Sequence, residues 1–215
     1  MTSQSNTPLT DVTRLVAELA APQVPRPVAD TLPALAPRLA FEPELLLRAQ
    51  DIKVVFFDVD GVMTDGGLFF TEAGETAKRF NALDGHGIKM LQRVGITPAV
   101  VTGRDSAPLR KRLAALGVTH VRYGTEDKRP AAESILADLG LTWQQAAAMG
   151  DDWPDAPVLR RVALACAPRT AHIEILGLAH YVPDAAAGHG AVRAVCDLLL
   201  VATGLYERLW REQSA

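Results

Sequence analysis

The sequence predicts an α/β fold in which helices cover both faces of a parallel sheet. From residue 52 onward, short apolar segments alternate with segments of helical periodicity, the pattern of successive βαβ units. The most apolar segment, residues 54–57, is followed by two aspartates two residues apart, Asp58 and Asp60. Buried parallel strands are apolar throughout and bring their last residues to one edge of the sheet. We therefore predict a three-layer αβα sandwich around a parallel, Rossmann-like sheet.

The predicted strands are apolar runs, mostly bounded by glycine or polar residues. They are residues 54–58, 97–102, 120–123, 146–150, 162–165 and 180–182. The segments between the strands have apolar residues at helical spacing. These predicted helices are residues 86–94, 106–116, 130–139, 156–161, 170–176 and 190–202. Right-handed crossovers between successive strands then make the sheet parallel.

Residues 65–81 break this alternation directly after the first strand. The apolar run 68–70 and the segment 75–80 flank a Thr-Glu-Ala-Gly turn, which predicts an inserted β-hairpin. No insertion between the predicted strands is long enough to form a separate cap domain.

The two ends of the chain differ from this predicted domain, which we place at residues 43–205. Residues 1–42 are rich in proline and alanine, and only 11–21 have the pattern of a short amphipathic helix. Because proline interrupts regular hydrogen bonding, we expect this extension to be largely disordered. Residues 206–215 are expected to form a C-terminal tail.

Composition excludes several classes of protein. The net charge of −3 gives no indication of a nucleic-acid partner or an anionic membrane surface. Cys166 and Cys196 lie in apolar runs and are expected to be buried free thiols. No apolar stretch has the length of a membrane span, and the polar start does not resemble a signal peptide. We expect a cytoplasmic protein.

Polar groups of complementary chemistry follow three predicted strands and begin one predicted helix. They are Asp58 with Asp60, Thr102 with Gly103, Asp151 with Asp152, and Lys128. Each alone has an ordinary alternative, such as a turn, a surface lysine or a loop that opens a helix. Their joint occurrence favours a phosphotransfer site, because a phosphate ester needs positive charge, hydrogen-bond donors and an in-line nucleophile.

The chemistry suggests a role for each group. Asp58 is the predicted nucleophile, and Asp60 is the acid that protonates the leaving oxygen and the base that later activates water. Magnesium accepts oxygen ligands, so we predict a Mg²⁺ site at Asp58, the backbone carbonyl of Asp60 and Asp151. Thr102 and Lys128 are predicted to hold the phosphoryl oxygens.

These four motifs resemble those of the haloacid dehalogenase superfamily of phosphotransferases, and the likeness extends over about residues 45–205. The segments 56–66, 80–88, 150–155 and 190–199 are similar to those of the phosphatases that act on 3-deoxy-D-manno-octulosonate 8-phosphate, a precursor of lipopolysaccharide. The resemblance implies a capless phosphatase in which the hairpin at 65–81 takes the place of a cap. It also implies a homotetramer whose neighbouring subunits help to close each active site.

The sequence departs from this family pattern at two positions. His189 stands between two glycines where many relatives have arginine, and Leu83 stands where some relatives have arginine. The residue that binds the substrate carboxylate is therefore left open. The remaining candidates and supporting residues are Asp65, Lys78, Arg79, His86, Arg104, Asp152, Asp155, His189 and Arg193.

Three alternatives to this activity are considered. A phosphatase for another sugar-acid phosphate, such as a sialic acid 9-phosphate, differs in pocket size and in the arginine that binds the carboxylate. A non-catalytic oligomerisation module is expected to lack the nucleophile, the lysine or a metal aspartate, and all are present here. A phosphomutase needs a cap, for which the chain has no room.

Overall fold

The computed structural model describes residues 38–72 and 74–214. The predicted extension up to residue 37, with its predicted helix at 11–21, lies outside the described residues. The strands are β1 Val54–Phe57, β2 Phe69–Thr71, β3 Gly74–Ala77, β4 Thr97–Val101, β5 His120–Arg122, β6 Ala146–Met149 and β7 Leu164–Cys166. The helices are α1 Pro43–Ala49, α2 Ala82–Arg93, α3 Ala107–Leu116, α4 Lys128–Leu139, α5 Ala156–Leu159, α6 Ile173–Leu176, α7 Ala191–Ala202 and α8 Tyr206–Ser214.

Five of the strands form one parallel sheet in the order β5-β4-β1-β6-β7. The strand β1 lies at its centre, between β4 and β6, so the residues after these three strands meet at one edge. The strands β2 and β3 form a separate antiparallel pair, which is the predicted hairpin. Both the parallel α/β fold and the hairpin after the first strand are confirmed.

The sheet separates two hydrophobic cores. Successive residues of a strand point to opposite faces, and in β1 Val55 and Phe57 belong to the core with α1, α2, α3, α7 and α8. Val54 and Phe56 belong to the other core, which α4, α5 and α6 cover. All four β1 residues are buried. The apolar run therefore marks a strand covered by helices on both sides.

Helix α2 begins four residues earlier than the sequence predicted. Asn81 caps it, because its side-chain oxygen accepts a hydrogen bond from the backbone N–H of Leu83 at 2.7 Å. Gly85 and Gly87 lie inside the helix, although glycine disfavours helices. A Cβ at Gly85 would lie 2.2 Å from Nη2 of Arg112, and one at Gly87 would lie 3.0 Å from Cβ of Cys196. Close packing explains both glycines.

Two other expectations differ from the structure. The predicted strand at 180–182 is wrong: Tyr181 forms only an isolated bridge with Cys166. Pro183, which follows directly, has no N–H with which to extend a ladder. The expected tail at 206–215 forms α8 as far as Ser214, and Leu209 is buried in the core. No helix among the described residues is long and apolar enough to cross a membrane.

Candidate active site

The ends of the three central strands form one cavity of about 440 Å³. Asp58 follows β1, Thr102 follows β4, and Asp151 lies after β6, so the parallel order of the sheet brings them together. Lys128 reaches the same place from the first turn of α4. The predicted residues that line the cavity are Asp58, Asp60, Thr102, Gly103, Arg104, Lys128, Asp151, Asp152 and Asp155.

Lys128 forms two short ion pairs inside this cavity. Its Nζ donates to Oδ1 of Asp58 at 2.6 Å and to Oδ1 of Asp155 at 2.7 Å, and all three side chains are buried. Burial works against the ammonium, but the charges of the two aspartates outweigh it and raise the pKa of Lys128. The lysine is therefore a fixed positive charge beside Asp58 rather than a mobile surface group.

Asp155 organises the loop after β6. Its Oδ2 accepts hydrogen bonds from the backbone N–H groups of Asp151 at 3.1 Å and Asp152 at 3.4 Å, while its Oδ1 holds Lys128. Gly150 makes room for it, since a Cβ there would lie 2.3 Å from Cβ of Asp155. The sequence marked Asp155 only as a supporting residue. Its four-residue spacing from Asp151 was the available signal.

Three carboxylates crowd the cavity floor. One oxygen from each of Asp58, Asp151 and Asp155 lies within 4.8 Å of the others. Burial, partly offset by Lys128 and reinforced by Asp155, raises the pKa of Asp58 to about 6. Burial and the charges of Asp58 and Asp155 raise the pKa of Asp151 to about 8. The cluster carries more buried negative charge than its single lysine neutralises.

A divalent cation fits this cluster. The donors are carboxylate oxygens, which Mg²⁺ prefers, and a cation would relieve the repulsion that raises the pKa values of Asp58 and Asp151. Both oxygens of Asp155 are already held by Lys128 and by backbone N–H groups. Asp58 and Asp151 are therefore the side chains best placed to bind the ion.

Asp60 and Thr102 lie at the mouth of the same cavity. The carboxylate of Asp60 contacts the ammonium of Lys78, which comes from the end of the hairpin. Thr102 is buried, and its hydroxyl accepts a hydrogen bond from the backbone N–H of Arg104 at 3.3 Å. A threonine hydroxyl that accepts one hydrogen bond still has a proton to donate. Each predicted phosphate-binding group therefore faces the cavity that contains Asp58.

Several other candidates lie away from this cavity. The guanidinium of Arg79 pairs with Asp65, Nε to Oδ2 at 3.1 Å, and contacts the ring of His189. His86 and Arg193 line a different cavity of about 230 Å³ beside α8. Within one subunit, the described structure therefore does not bring these five residues to Asp58.

Comparison with known proteins identifies the family. No protein-family model matches the chain. The curated 3-deoxy-D-manno-octulosonate 8-phosphate phosphatase KdsC of Yersinia pestis is 43% identical over 159 residues, 74% of this chain and 85% of that protein. This chain belongs to the 3-deoxy-D-manno-octulosonate 8-phosphate phosphatase (KdsC) family.

Two solved structures support the family and the superfamily, respectively. A structure of 3-deoxy-D-manno-octulosonate 8-phosphate phosphatase from Moraxella catarrhalis, in complex with a magnesium ion, a phosphate ion and a KDO molecule, has a TM-score of 0.76. It is 32% identical, and the match covers 79% of this chain and 97% of that chain. A structure of a putative hydrolase of the haloacid dehalogenase superfamily from Legionella pneumophila has a TM-score of 0.74 at 39% identity, with 76% and 90% covered. The predicted superfamily is confirmed.

Two contacts of the KdsC site were not predicted from the sequence. Glu75 accepts a hydrogen bond from Oγ of Ser106 at 2.8 Å and lies 3.0 Å from Nζ of Lys78. Its three-residue spacing from Lys78 was the only sequence signal. Leu83 is exposed in the first turn of α2.

Proposed function

We propose that this protein is a magnesium-dependent phosphatase that hydrolyses 3-deoxy-D-manno-octulosonate 8-phosphate to 3-deoxy-D-manno-octulosonate and inorganic phosphate. The observation that carries this proposal is the buried contact of Asp58 with Lys128 beside Asp151, at the edge where Thr102 and Asp60 also lie. Membership of the KdsC family supports the substrate. The Moraxella relative, whose structure contains magnesium, phosphate and KDO, supports the metal.

In the first half of the proposed reaction, Asp58 attacks phosphorus. Lys128 holds Oδ1 of Asp58, so the other carboxylate oxygen forms the bond to phosphorus. The bond from phosphorus to the sugar oxygen breaks, and Asp60 gives its proton to the leaving oxygen. Lys128 and the hydroxyl of Thr102 hold the phosphoryl oxygens in line with Asp58. The products of this half are the sugar acid and an aspartyl-phosphate.

In the second half, Asp60 takes a proton from a water molecule, which attacks the phosphorus of the aspartyl-phosphate. The bond from phosphorus to Asp58 breaks, and inorganic phosphate leaves. Asp58, Asp151 and the backbone carbonyl of Asp60 would hold magnesium, which would supply positive charge that offsets the charge of the phosphate. Asp155 acts indirectly, since it orients Lys128 and the loop that carries Asp151.

The quaternary structure is part of the proposal. We infer a homotetramer in which hairpins of neighbouring subunits pack together and help to close each site. Phe69 and Phe70 on β2 are 52% and 61% exposed, and Leu68 beside them is 43% exposed. Apolar side chains of this size on one short strand favour a protein partner over water. The cytoplasmic location stays a prediction from the sequence.

A second substrate is considered because the family resemblance leaves the partner of the substrate carboxylate open. The resemblance implies arginine at the position of His189 in many relatives and at that of Leu83 in some, so another residue of this chain is a candidate to bind the carboxylate. A sialic acid 9-phosphate carries the same carboxylate on a larger sugar. Arg104 lines the cavity and is the best placed candidate to bind either carboxylate.

Phosphate release from a panel of phosphomonoesters tests the activity and the substrate together. We expect kcat/KM for 3-deoxy-D-manno-octulosonate 8-phosphate to exceed that for a sialic acid 9-phosphate by at least about tenfold, since a misfitting substrate loses transition-state binding. EDTA should abolish turnover, and excess Mg²⁺ should restore it. A higher kcat/KM for the sialic acid ester would reassign the substrate. No turnover of any ester in excess Mg²⁺ would favour a non-catalytic module.

A further inference from the structure

Lys78 lies directly after β3 at the base of the hairpin, and its side chain is almost completely buried. Only 1% of the side chain is exposed. Its ammonium contacts Oδ1 of Asp60 and lies 3.0 Å from Oε1 of Glu75. A lysine with so little free surface and two carboxylate partners has no room to bind a substrate. Its ammonium instead contacts side chains of the protein, among them Asp60.

Glu75 keeps this lysine in place. Its side chain is 9% exposed, and its Oε1 accepts a hydrogen bond from Oγ of Ser106 at 2.8 Å. Ser106 belongs to the loop that follows Thr102 and begins α3. A buried ion pair is stable when hydrogen bonds also satisfy the remaining polar atoms of both partners. The chain Ser106–Glu75–Lys78 therefore connects the hairpin and the loop after β4 to Asp60.

The two oxygens of Asp60 have different surroundings. Oδ1 contacts Lys78 and accepts a hydrogen bond from Oγ1 of Thr64 at 3.5 Å. Oδ2 is buried and has no hydrogen-bond partner among residues 38–72 and 74–214, with Nε of Arg104 at 3.7 Å. Asp60 also lines the cavity that contains Asp58. The contact with Lys78 therefore holds Oδ1 in place, and Oδ2 is the oxygen available for proton transfer.

We propose that Lys78, held by Glu75, is the positioning residue for Asp60. It anchors Oδ1, so that Oδ2 gives its proton to the sugar oxygen as the ester bond breaks and later takes a proton from water. This inference rests on the proposed function and assigns a part of the hairpin to its chemistry. Displacing a reacting group by about 1 Å can cost about 100-fold in rate. In kcat/KM, which includes only the steps up to departure of the leaving group, the loss should appear only for esters whose leaving oxygen must be protonated.

The leaving group of the substrate provides the test. A sugar alkoxide leaves only when it is protonated, whereas p-nitrophenolate is stable as an anion and leaves without a proton. For Lys78→Met, we expect kcat/KM on 3-deoxy-D-manno-octulosonate 8-phosphate to fall about 100-fold. On p-nitrophenyl phosphate, kcat/KM should fall less than about fivefold, because the acid contributes little there and the attack of water comes after the steps that kcat/KM includes. KM for both esters should rise by less than about threefold, since Lys78 does not touch substrate.

Two further variants separate positioning from folding. Lys78→Arg keeps the positive charge and still contacts Asp60, so its kcat/KM on the sugar phosphate should be at least about tenfold higher than that of Lys78→Met. The double variant Glu75→Gln with Lys78→Met leaves no unpaired buried charge at this pair. Thermal unfolding identifies the folded variants. If Lys78→Met does not fold, the double variant is expected to show the same selective loss on the sugar phosphate.

The outcomes distinguish this inference from the proposed function. Equal loss of kcat/KM on both esters would overturn the positioning role, and so would a raised KM with unchanged kcat, which would make Lys78 a binding residue. Either result leaves the phosphatase activity standing. A wild-type protein that is inactive on both esters in excess Mg²⁺ would overturn the proposed function and this inference with it.

Discussion

Gly61 lies against the carboxylate of Asp151. Its φ is +90°, and a Cβ there would lie 2.1 Å from Oδ2 of Asp151. We expect Gly61→Ala to displace Asp151 and lower kcat on a sugar phosphate by at least about 100-fold, because reacting groups tolerate little misplacement. Steady-state phosphate release measures this loss.

Gly95 provides the matched control. Its φ is +81°, but no described atom beyond its chain neighbours lies within 4 Å of the Cβ position. Gly95→Ala therefore costs about 1–2 kcal/mol of backbone strain without touching the site, and its activity should stay within about twofold. Equal loss of activity in both variants would show that the strain, rather than the contact with Asp151, is responsible.

Asp151 makes the stability of the protein depend on pH and magnesium. Without a cation, its pKa in the folded protein is about 8, against an ordinary value of 3.8. Between these two pKa values the folded state holds a proton on Asp151 that the unfolded chain has lost. The contribution of Asp151 to the free energy of unfolding is therefore full below about pH 4 and decreases as the pH rises to about 8. Mg²⁺ needs the deprotonated carboxylate, so its binding strengthens over the same range.

Thermal unfolding with and without Mg²⁺ measures this coupling. We expect the increase in Tm caused by Mg²⁺ to be larger at about pH 8 than at about pH 6, because fewer protons must be displaced. Asp151→Asn should remove most of the increase at both pH values. An increase that is the same at both pH values in the wild type would contradict the role of Asp151.

At this scale the sequence predicted the chemistry but not the contacts. Asp58, Thr102 and Asp151 could be placed because each follows an apolar strand, and all parallel strands end at one edge. The contact of Lys78 with Asp60 spans the hairpin, and no periodicity relates the two residues. Side-chain contacts across an irregular turn depend on the turn's backbone, which residue types do not determine.

At the scale of elements, the hairpin β2–β3 combines two features. Lys78 at its base contacts Asp60 and is held by Glu75 of β3, while Phe69 and Phe70 on β2 are exposed. We expect the wild type to be a tetramer by light scattering. Replacing both phenylalanines by serine should shift it to smaller species, because burying each large apolar side chain is worth about 2 kcal/mol.

Leu47→Ser is the control for this experiment. Leu47 is 64% exposed on α1, outside the hairpin, so the variant should remain a tetramer. A wild type that is monomeric and fully active would contradict both the tetramer and the closure of each site by its neighbours.

The elements that the sequence predicted most directly are those whose residues are apolar throughout. The buried strand β1 is apolar on both faces, and its sequence shows this directly. Helix α2 was predicted to begin at His86, four residues late, and its Gly85 and Gly87 lie where neighbouring side chains leave no room for a Cβ. The residues around Tyr181 are apolar enough for a strand, but Pro183 ends the ladder. Tertiary packing, which a short sequence window does not show, explains the glycines of α2, whereas the end of the ladder follows from Pro183 itself.

At the scale of the whole molecule, the order of the sheet brings distant residues together. Placing β1 between β4 and β6 brings Asp58, Thr102 and Asp151 to one cavity, and α4 adds Lys128. The fold class was predictable because alternating strands and helices have few arrangements. The expected homotetramer came only from the family resemblance, because a single chain's periodicity carries no information about its neighbours.

The most direct test of this chemistry is phosphate release from 3-deoxy-D-manno-octulosonate 8-phosphate by Asp58→Asn in excess Mg²⁺. An amide cannot form the aspartyl-phosphate, so we expect kcat to fall at least about 1000-fold. Asp138→Asn, whose carboxylate pairs with Arg122 on the surface, should keep wild-type activity. Ordinary turnover by the Asp58→Asn protein would contradict the nucleophile and the mechanism built on it.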